Sequence, residues 1–132
     1  MDEIKIIKIP RHDDKRGNLS FVENGTIIPF RIKRVYWIYD VPGGEKRGGH
    51  AFINQSEFII AMSGSFDVVL DNGSERRTFH LNRSYYGLYV PAGIWREMEN
   101  FSTNSSAVIL ASTFYSKEDY IRDYSHFKNF KK

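Results

Sequence analysis

The chain contains no cysteine among its 132 residues. This absence excludes disulfide scaffolds, thiol catalysis, iron–sulfur clusters and cysteine-ligated zinc. No apolar run approaches the roughly 20 residues that a membrane helix needs, and the acidic start, Met1–Lys5, is unlike a secretory signal. We therefore expect a cytoplasmic protein with no membrane partner.

Neither sign of charge dominates, because 19 lysines and arginines face 16 aspartates and glutamates, for a net charge of +3. So small an excess does not indicate a nucleic-acid partner, and the lysines of the last five residues are expected to be a solvated end. Hydrophobic residues make up 41% of the chain and charged residues 27%, a balance typical of globular proteins. The length predicts one domain over residues 1–132.

Short β-like segments separated by turn signals fill most of the chain. Ile32–Tyr39 alternates in the manner of a half-buried strand, and Asp71-Asn72-Gly73 between two such segments is typical of a hairpin. Val41–Gly49 holds four glycines and one proline, which favours a loop. At least eight strands in so short a chain predict an all-β sandwich, jelly roll or barrel.

One helix is predicted, close to the C-terminus. Ser116 to Asp119 resembles a capping box, and Tyr120, Tyr124 and Phe127 follow at helical spacing. Such an aromatic stripe usually packs against the rest of the protein, so we expect it to bury one face of the helix.

Two stretches of the chain are similar to the paired sequence signatures of the cupin superfamily, whose fold is a small jelly-roll barrel. The first runs from Gly49 to Gly64 and contains His50 and Glu57; the second runs from Gly87 to Asn100 and contains Pro91 and Gly93. In metal-binding cupins, three histidines and one glutamate of these signatures close around a divalent ion.

Here two of those four ligand positions carry Phe52 and Arg96. A phenyl ring offers no lone pair, and a guanidinium stays protonated and repels a cation. The two remaining donors, His50 and Glu57, are too few to hold a catalytic metal. The sequence therefore predicts a cupin barrel without a metal or other cofactor.

Further blocks narrow the resemblance to one family across nearly the whole chain. The chain resembles the WxcM-like cupins, which are sugar-nucleotide 3,4-ketoisomerases acting on dTDP-4-dehydro-6-deoxy-glucose. The blocks are Asp14–Leu19, Ile32–Tyr36, Arg47–Ala51, Ser63–Phe66 with Asp71–Gly73, Gly87–Pro91 with Trp95, Leu110–Ser112 and Asp119–Tyr124.

The resemblance implies a homodimeric jelly roll that moves a keto group from C4 to C3 without a metal, in the making of 3-amino-3,6-dideoxy sugars. We expect His50 to be the base that moves the carbon-bound proton and Tyr36 to assist at the oxygens. Arginines suit the two phosphates of the substrate. The predicted substrate contacts are therefore five arginines together with one acidic and one aromatic side chain: Arg16, Arg34, Arg47, Glu57, Arg83, Trp95 and Arg96. The family commonly has a second histidine where Phe52 stands, so an oxygen proton must pass through water or Tyr36.

Three other functions stay open from the sequence. Asp14-Lys15-Arg16-Gly17 is similar to a segment of dTDP-sugar 3,5-epimerases, which also use a histidine base. Loss of the second histidine at Phe52 is also compatible with a non-catalytic domain that binds the dTDP-sugar, and a purely structural cupin is the third possibility. Deuterium entering at C5 of the sugar would favour the epimerase, tight dTDP binding without turnover would favour the binding domain, and failure to bind any nucleotide sugar would favour the structural cupin.

Overall fold

A computed structural model describes residues 1–132, and short antiparallel strands make up most of it. No helix is long and apolar enough to span a bilayer. The strands are β1 (Lys5–Lys8), β2 (Arg11–His12), β3 (Leu19–Ser20), β4 (Arg34–Tyr39), β5 (Arg47–Phe52), β6 (Glu57–Ser63), β7 (Phe66–Asp71), β8 (Arg76–Leu81), β9 (Tyr86–Val90), β10 (Trp95–Glu99), β11 (Ser106–Ala111) and β12 (Tyr120–Ile121). The one α-helix, α1, spans Tyr124–Phe130.

The strands form two five-stranded sheets and a small hairpin. The first sheet has the order β1-β9-β6-β11-β4, the second has the order β12-β5-β10-β7-β8, and β2 pairs with β3. The two large sheets are not hydrogen-bonded into a closed barrel. The predicted all-β architecture with a short C-terminal helix is confirmed.

The alternation of the strands explains which side chains meet between the sheets. On β6, Ile59 and Ala61 join a 13-residue core that also contains Phe66, Val68 and Leu70 from β7 of the other sheet. Neighbouring side chains on a strand point to opposite faces. The intervening Phe58 and Ile60 therefore lie in a second cluster on the outer face of the first sheet.

Two local predictions need correction. Part of the predicted loop Val41–Gly49 is strand β5, which begins at Arg47 because Met98 of β10 pairs with that residue. The capping box at Ser116 does not begin the helix: Lys117–Asp119 is one 3-10 turn without a side-chain cap. Helix α1 begins after Asp123, whose carboxylate accepts a hydrogen bond from the backbone N–H of His126. The predicted hairpin after β7 is confirmed.

Candidate active site

A cavity of about 480 Å³ opens where the ends of both sheets meet. Tyr36 reaches it from β4 of the first sheet, and His50 and Arg96 reach it from neighbouring positions of β5 and β10 in the second. The lining residues are Arg34, Tyr36, Trp37, Ile38, Lys46, Arg47, Gly48, Gly49, His50, Arg96, Tyr115, Tyr120 and Arg122. Five of the predicted site residues are therefore brought together: Arg34, Tyr36, Arg47, His50 and Arg96.

His50 is a buried histidine that lines this cavity. Its side chain packs edge-on against Phe52 and Tyr120, with ring centroids 4.8 and 5.0 Å away, and it is 8% exposed. Burial lowers the pKa of His50 to about 3, and the charges of Arg96, Arg122 and Arg47 act in the same direction. The Nε2 atom is buried without a hydrogen-bond partner in the protein. The imidazole is thus neutral at pH 7, and a neutral imidazole carries one nitrogen lone pair that can accept a proton.

A buried ion pair lies directly behind the cavity. Arg96 Nε donates to Glu57 Oε1 at 2.5 Å, and Arg96 Nη2 donates to the Tyr36 hydroxyl oxygen at 2.9 Å. The Tyr36 hydroxyl in turn donates to Glu57 Oε2. Burial would lower the pKa of Arg96, but the Glu57 carboxylate outweighs it and the pKa is raised. Burial also raises the pKa of Tyr36, which Arg96 opposes and Glu57 reinforces.

These residues do not fit a metal ion. The Arg96 guanidinium is held at the position of one cupin ligand by the carboxylate of another, Glu57. Phe52 fills a third ligand position with a ring that packs on His50. No cluster of three or more histidine, cysteine, aspartate or glutamate side chains suited to a metal is present in the structure.

The ion pair is held in turn by a layer of polar side chains. Gln55 donates to Glu57 Oε2 at 2.9 Å, and its amide oxygen accepts from Thr113 and from Arg34 at 2.6 and 3.0 Å. The backbone N–H groups of residues 54 and 55 donate to the buried Asp119 carboxylate. Glu57 therefore has partners on both carboxylate oxygens, as a buried charge requires.

The rim of the cavity is cationic and has no acidic lining residue. Arg34, Arg47 and Arg122 have no carboxylate within ion-pair distance, and Lys46 has Glu99 at 3.5 Å. The Arg122 guanidinium lies over the ring of Tyr120, 4.2 Å from its centroid. Unpaired guanidinium groups around one opening suit a ligand with several negative charges, such as a diphosphate.

Three predicted substrate contacts lie elsewhere in this chain. Trp95 is buried against Tyr124 and Phe127 of helix α1, where it belongs to the core. Arg16 is on an exposed loop and pairs with Asp14, and Arg83 donates to the neighbouring backbone oxygen of residue 82. None of the three lines the cavity. Glu57 is not among the residues that line the cavity either: it lies behind Tyr36 and Arg96 and is 1% exposed.

The C-terminal segment supplies site residues that the sequence analysis missed. Tyr120 was expected on a helix, but it lies on β12, pairs with Phe52 on β5 and faces His50. Tyr115 and Arg122 line the same cavity. The signal in the sequence is the block Asp119–Tyr124, which carries part of the family resemblance, whereas its aromatic spacing alone predicts a helix that packs against the core.

The two-sheet fold and a cationic cavity around a buried, neutral histidine define a cupin-like protein in which an ion pair stands at two of the four ligand positions of the metal-binding signatures. Comparison with known proteins is more specific. Residues 2–132 match the model of the family described as FdtA, WxcM-like, C-terminal. The chain belongs to this family, as the sequence blocks predicted.

Characterised relatives cover nearly the whole chain. It is 40% identical over 128 residues to the TDP-4-oxo-6-deoxy-alpha-D-glucose-3,4-oxoisomerase of Aneurinibacillus thermoaerophilus, covering 97% of this chain and 92% of the relative. The sugar 3,4-ketoisomerase QdtA of Thermoanaerobacterium thermosaccharolyticum, solved with TDP, is 35% identical with a TM-score of 0.94, over 96% of this chain and 93% of that one. A variant of QdtA was solved with TDP-4-keto-6-deoxyglucose.

The TDP-quinovose 3,4-ketoisomerase WlaRB of Campylobacter jejuni is 41% identical with a TM-score of 0.93, over 98% of this chain and 99% of that one. A dTDP-4-dehydrorhamnose 3,5-epimerase of Bacillus anthracis is more distant, at 18% identity and a TM-score of 0.79, over 89% of this chain and 77% of that one. The likeness to the epimerase is one of fold alone.

Proposed function

We propose that this chain is a 3,4-ketoisomerase that moves the keto group of TDP-4-keto-6-deoxyglucose from C4 to C3, on the route to 3-amino-3,6-dideoxy sugars. The observation that carries the proposal is His50, a buried neutral histidine that lines a cavity whose rim is cationic. The names of the relatives support the choice of substrate.

The reaction needs a base because the C4 carbonyl acidifies the hydrogen on C3 only modestly. In the proposed mechanism, His50 takes that proton, the C–H electron pair forms a C3=C4 double bond, and the carbonyl pair moves to O4. The protonated imidazole then returns the proton at C4. A base that serves both carbons must face one side of the sugar, and a single buried ring meets that requirement.

Substrate binding favours this role of His50. The charges of Arg122 and Arg47 contribute to the low pKa of His50 in the free protein. When the two phosphates of the substrate lie against these arginines, their negative charge offsets that effect and the basicity of His50 rises. The base is therefore stronger in the complex than in the free protein.

The predicted homodimer has one feature in its support. Strand β4 lies at the edge of the first sheet, and its outward side chains Val35, Trp37 and Tyr39 are exposed at 48%, 61% and 61%. An apolar edge of this kind is usually covered. Light scattering of the purified protein measures the mass directly, and a monomer would refute this part of the proposal. The cytoplasmic location stays a prediction.

The enzyme assay is a time course of proton NMR with TDP-4-keto-6-deoxyglucose in D2O. We expect loss of the C3 proton signal and appearance of the 3-keto product, both abolished by His50→Gln. The absence of exchange and of 3-keto product would refute the isomerase. Deuterium at C5 would indicate an epimerase instead. TDP binding without turnover, restored by Phe52→His, would indicate a non-catalytic binding domain.

A further inference from the structure

The hydrogen bonds around Tyr36 fix the direction in which its hydroxyl can act. Arg96 has only donors, so Nη2 donates to the phenol oxygen. The single phenol proton is directed at Glu57 Oε2. Toward the cavity, which Tyr36 lines, the hydroxyl has a lone pair but no proton. It can accept a hydrogen bond from the sugar, and it is not arranged to donate one to a developing oxyanion.

This arrangement suits the transfer of the oxygen-bound proton from O3 to O4, which His50 does not perform. The O3–H hydroxyl of the sugar has to lose its proton as C3 becomes a carbonyl, and O4 has to gain one. Phe52 has no proton to exchange, so the ring beside His50 gives no help. Tyr36 lines the cavity, and its hydroxyl donates a hydrogen bond to the carboxylate of Glu57.

We propose that Glu57 is the positioning residue for the oxygen-bound proton, which it orients and temporarily holds through Tyr36. The inference rests on the proposed function and deepens it. It gives Glu57 a role different from the substrate contact predicted from the sequence, because the side chain is buried and reaches the cavity only through Tyr36.

The protons and electrons balance as follows in the second half of the reaction. The O3 proton passes to the Tyr36 oxygen while the phenol proton passes to Glu57, and the O3–H electron pair forms the C3 carbonyl. The C3=C4 pair takes the proton from protonated His50, which leaves an alkoxide at O4. The alkoxide takes a proton from Tyr36, Glu57 returns the proton that it held, and all three side chains regain their starting states.

The test measures two rates in D2O: exchange of the hydrogen on C3 for deuterium, and formation of the 3-keto product. In Glu57→Gln the amide cannot take a proton, so we expect 3-keto product to form about 100-fold more slowly, a typical loss for one acid–base group. Exchange at C3 should fall less than tenfold, because His50 still forms the enediolate, which reverts to the starting ketone. Tyr36→Phe should show the same split.

Tyr36→Phe also covers the case in which Glu57→Gln does not fold, because it keeps the Glu57–Arg96 ion pair. Tyr86→Phe and Glu75→Gln are matched controls outside the cavity, and we expect both rates to be unchanged in them. Equal losses of exchange and product in Tyr36→Phe, or no loss of product, would overturn the inference. A wild-type protein with neither activity would instead overturn the proposed function.

Discussion

Acid should destabilise this protein through His50 more than through any exposed histidine. The pKa of His50 in the folded protein is about 3, against 6.5 for the free side chain. Between these two values the unfolded chain binds a proton at this residue and the folded protein does not. The free energy of unfolding therefore falls as the pH falls from about 6.5 toward 3.

The size of the effect follows from the two pKa values. Each pH unit within that interval removes about 1.4 kcal/mol of stability. Lowering the pH from 7 to 4.5 crosses about two units below the unfolded pKa, so the His50 contribution is on the order of 2–3 kcal/mol. For a domain of this size, that loss is a substantial fraction of the total stability.

Urea unfolding at pH 7 and pH 4.5 measures this contribution. The drop in unfolding free energy between the two pH values should be about 2–3 kcal/mol smaller in His50→Gln than in wild type. Other titrating groups are common to both proteins and cancel in the comparison. His126→Gln, at an exposed position, should behave as wild type. An equal drop in wild type and His50→Gln would refute the reasoning.

Three further outcomes follow from the site. Arg122→Met should weaken TDP binding about tenfold by calorimetry, the value of one charge-assisted hydrogen bond, whereas Arg83→Met should not change it. Trp95→Ala should cost about 3–5 kcal/mol of stability in urea unfolding, because its ring is core; loss of TDP affinity without destabilisation would contradict this. The double variant Phe52→His, Arg96→His should bind Zn2+ at least tenfold more tightly than either single variant, and equal affinities would argue against the reconstructed ligand set.

The strands could be predicted where an alternating segment is bounded by residues that favour turns. Ile32–Tyr39 alternates strongly, and the observed strand β4 falls inside it. Strand β5 was partly missed because its first residues, Arg47 to Gly49, have the composition of a loop. They are extended because β10 pairs with them on one side, and this non-local pairing leaves no local signal. The helix start was misplaced for a similar reason: Asp119 binds the backbone of residues 54 and 55 rather than capping a helix.

Several residues of the site could be predicted from the sequence, but the hydrogen bonds between them could not. His50 and Arg96 were found through the two cupin signatures, and the structure places them opposite each other on paired strands. The partners of Glu57 were not predictable, because Tyr36 is 21 residues before it and Arg96 is 39 residues after it. The three side chains meet only when the two sheets face each other, and the sequence pattern gives the faces of single strands but not the pairs across the sheets.

The ion pair behind the cavity explains how a cupin fold can keep an ordered site without a metal. Glu57 and Arg96 occupy two of the four ligand positions of the metal-binding signatures, and each binds the other. The guanidinium supplies a positive charge that compensates the buried carboxylate, and it also donates to the hydroxyl of Tyr36. Unlike a metal ion, a guanidinium has a fixed set of donors and no open coordination position. We expect the acid–base work at the sugar to fall to two side chains: Tyr36, whose hydroxyl this pair orients, for the oxygen-bound proton, and His50 for the carbon-bound proton.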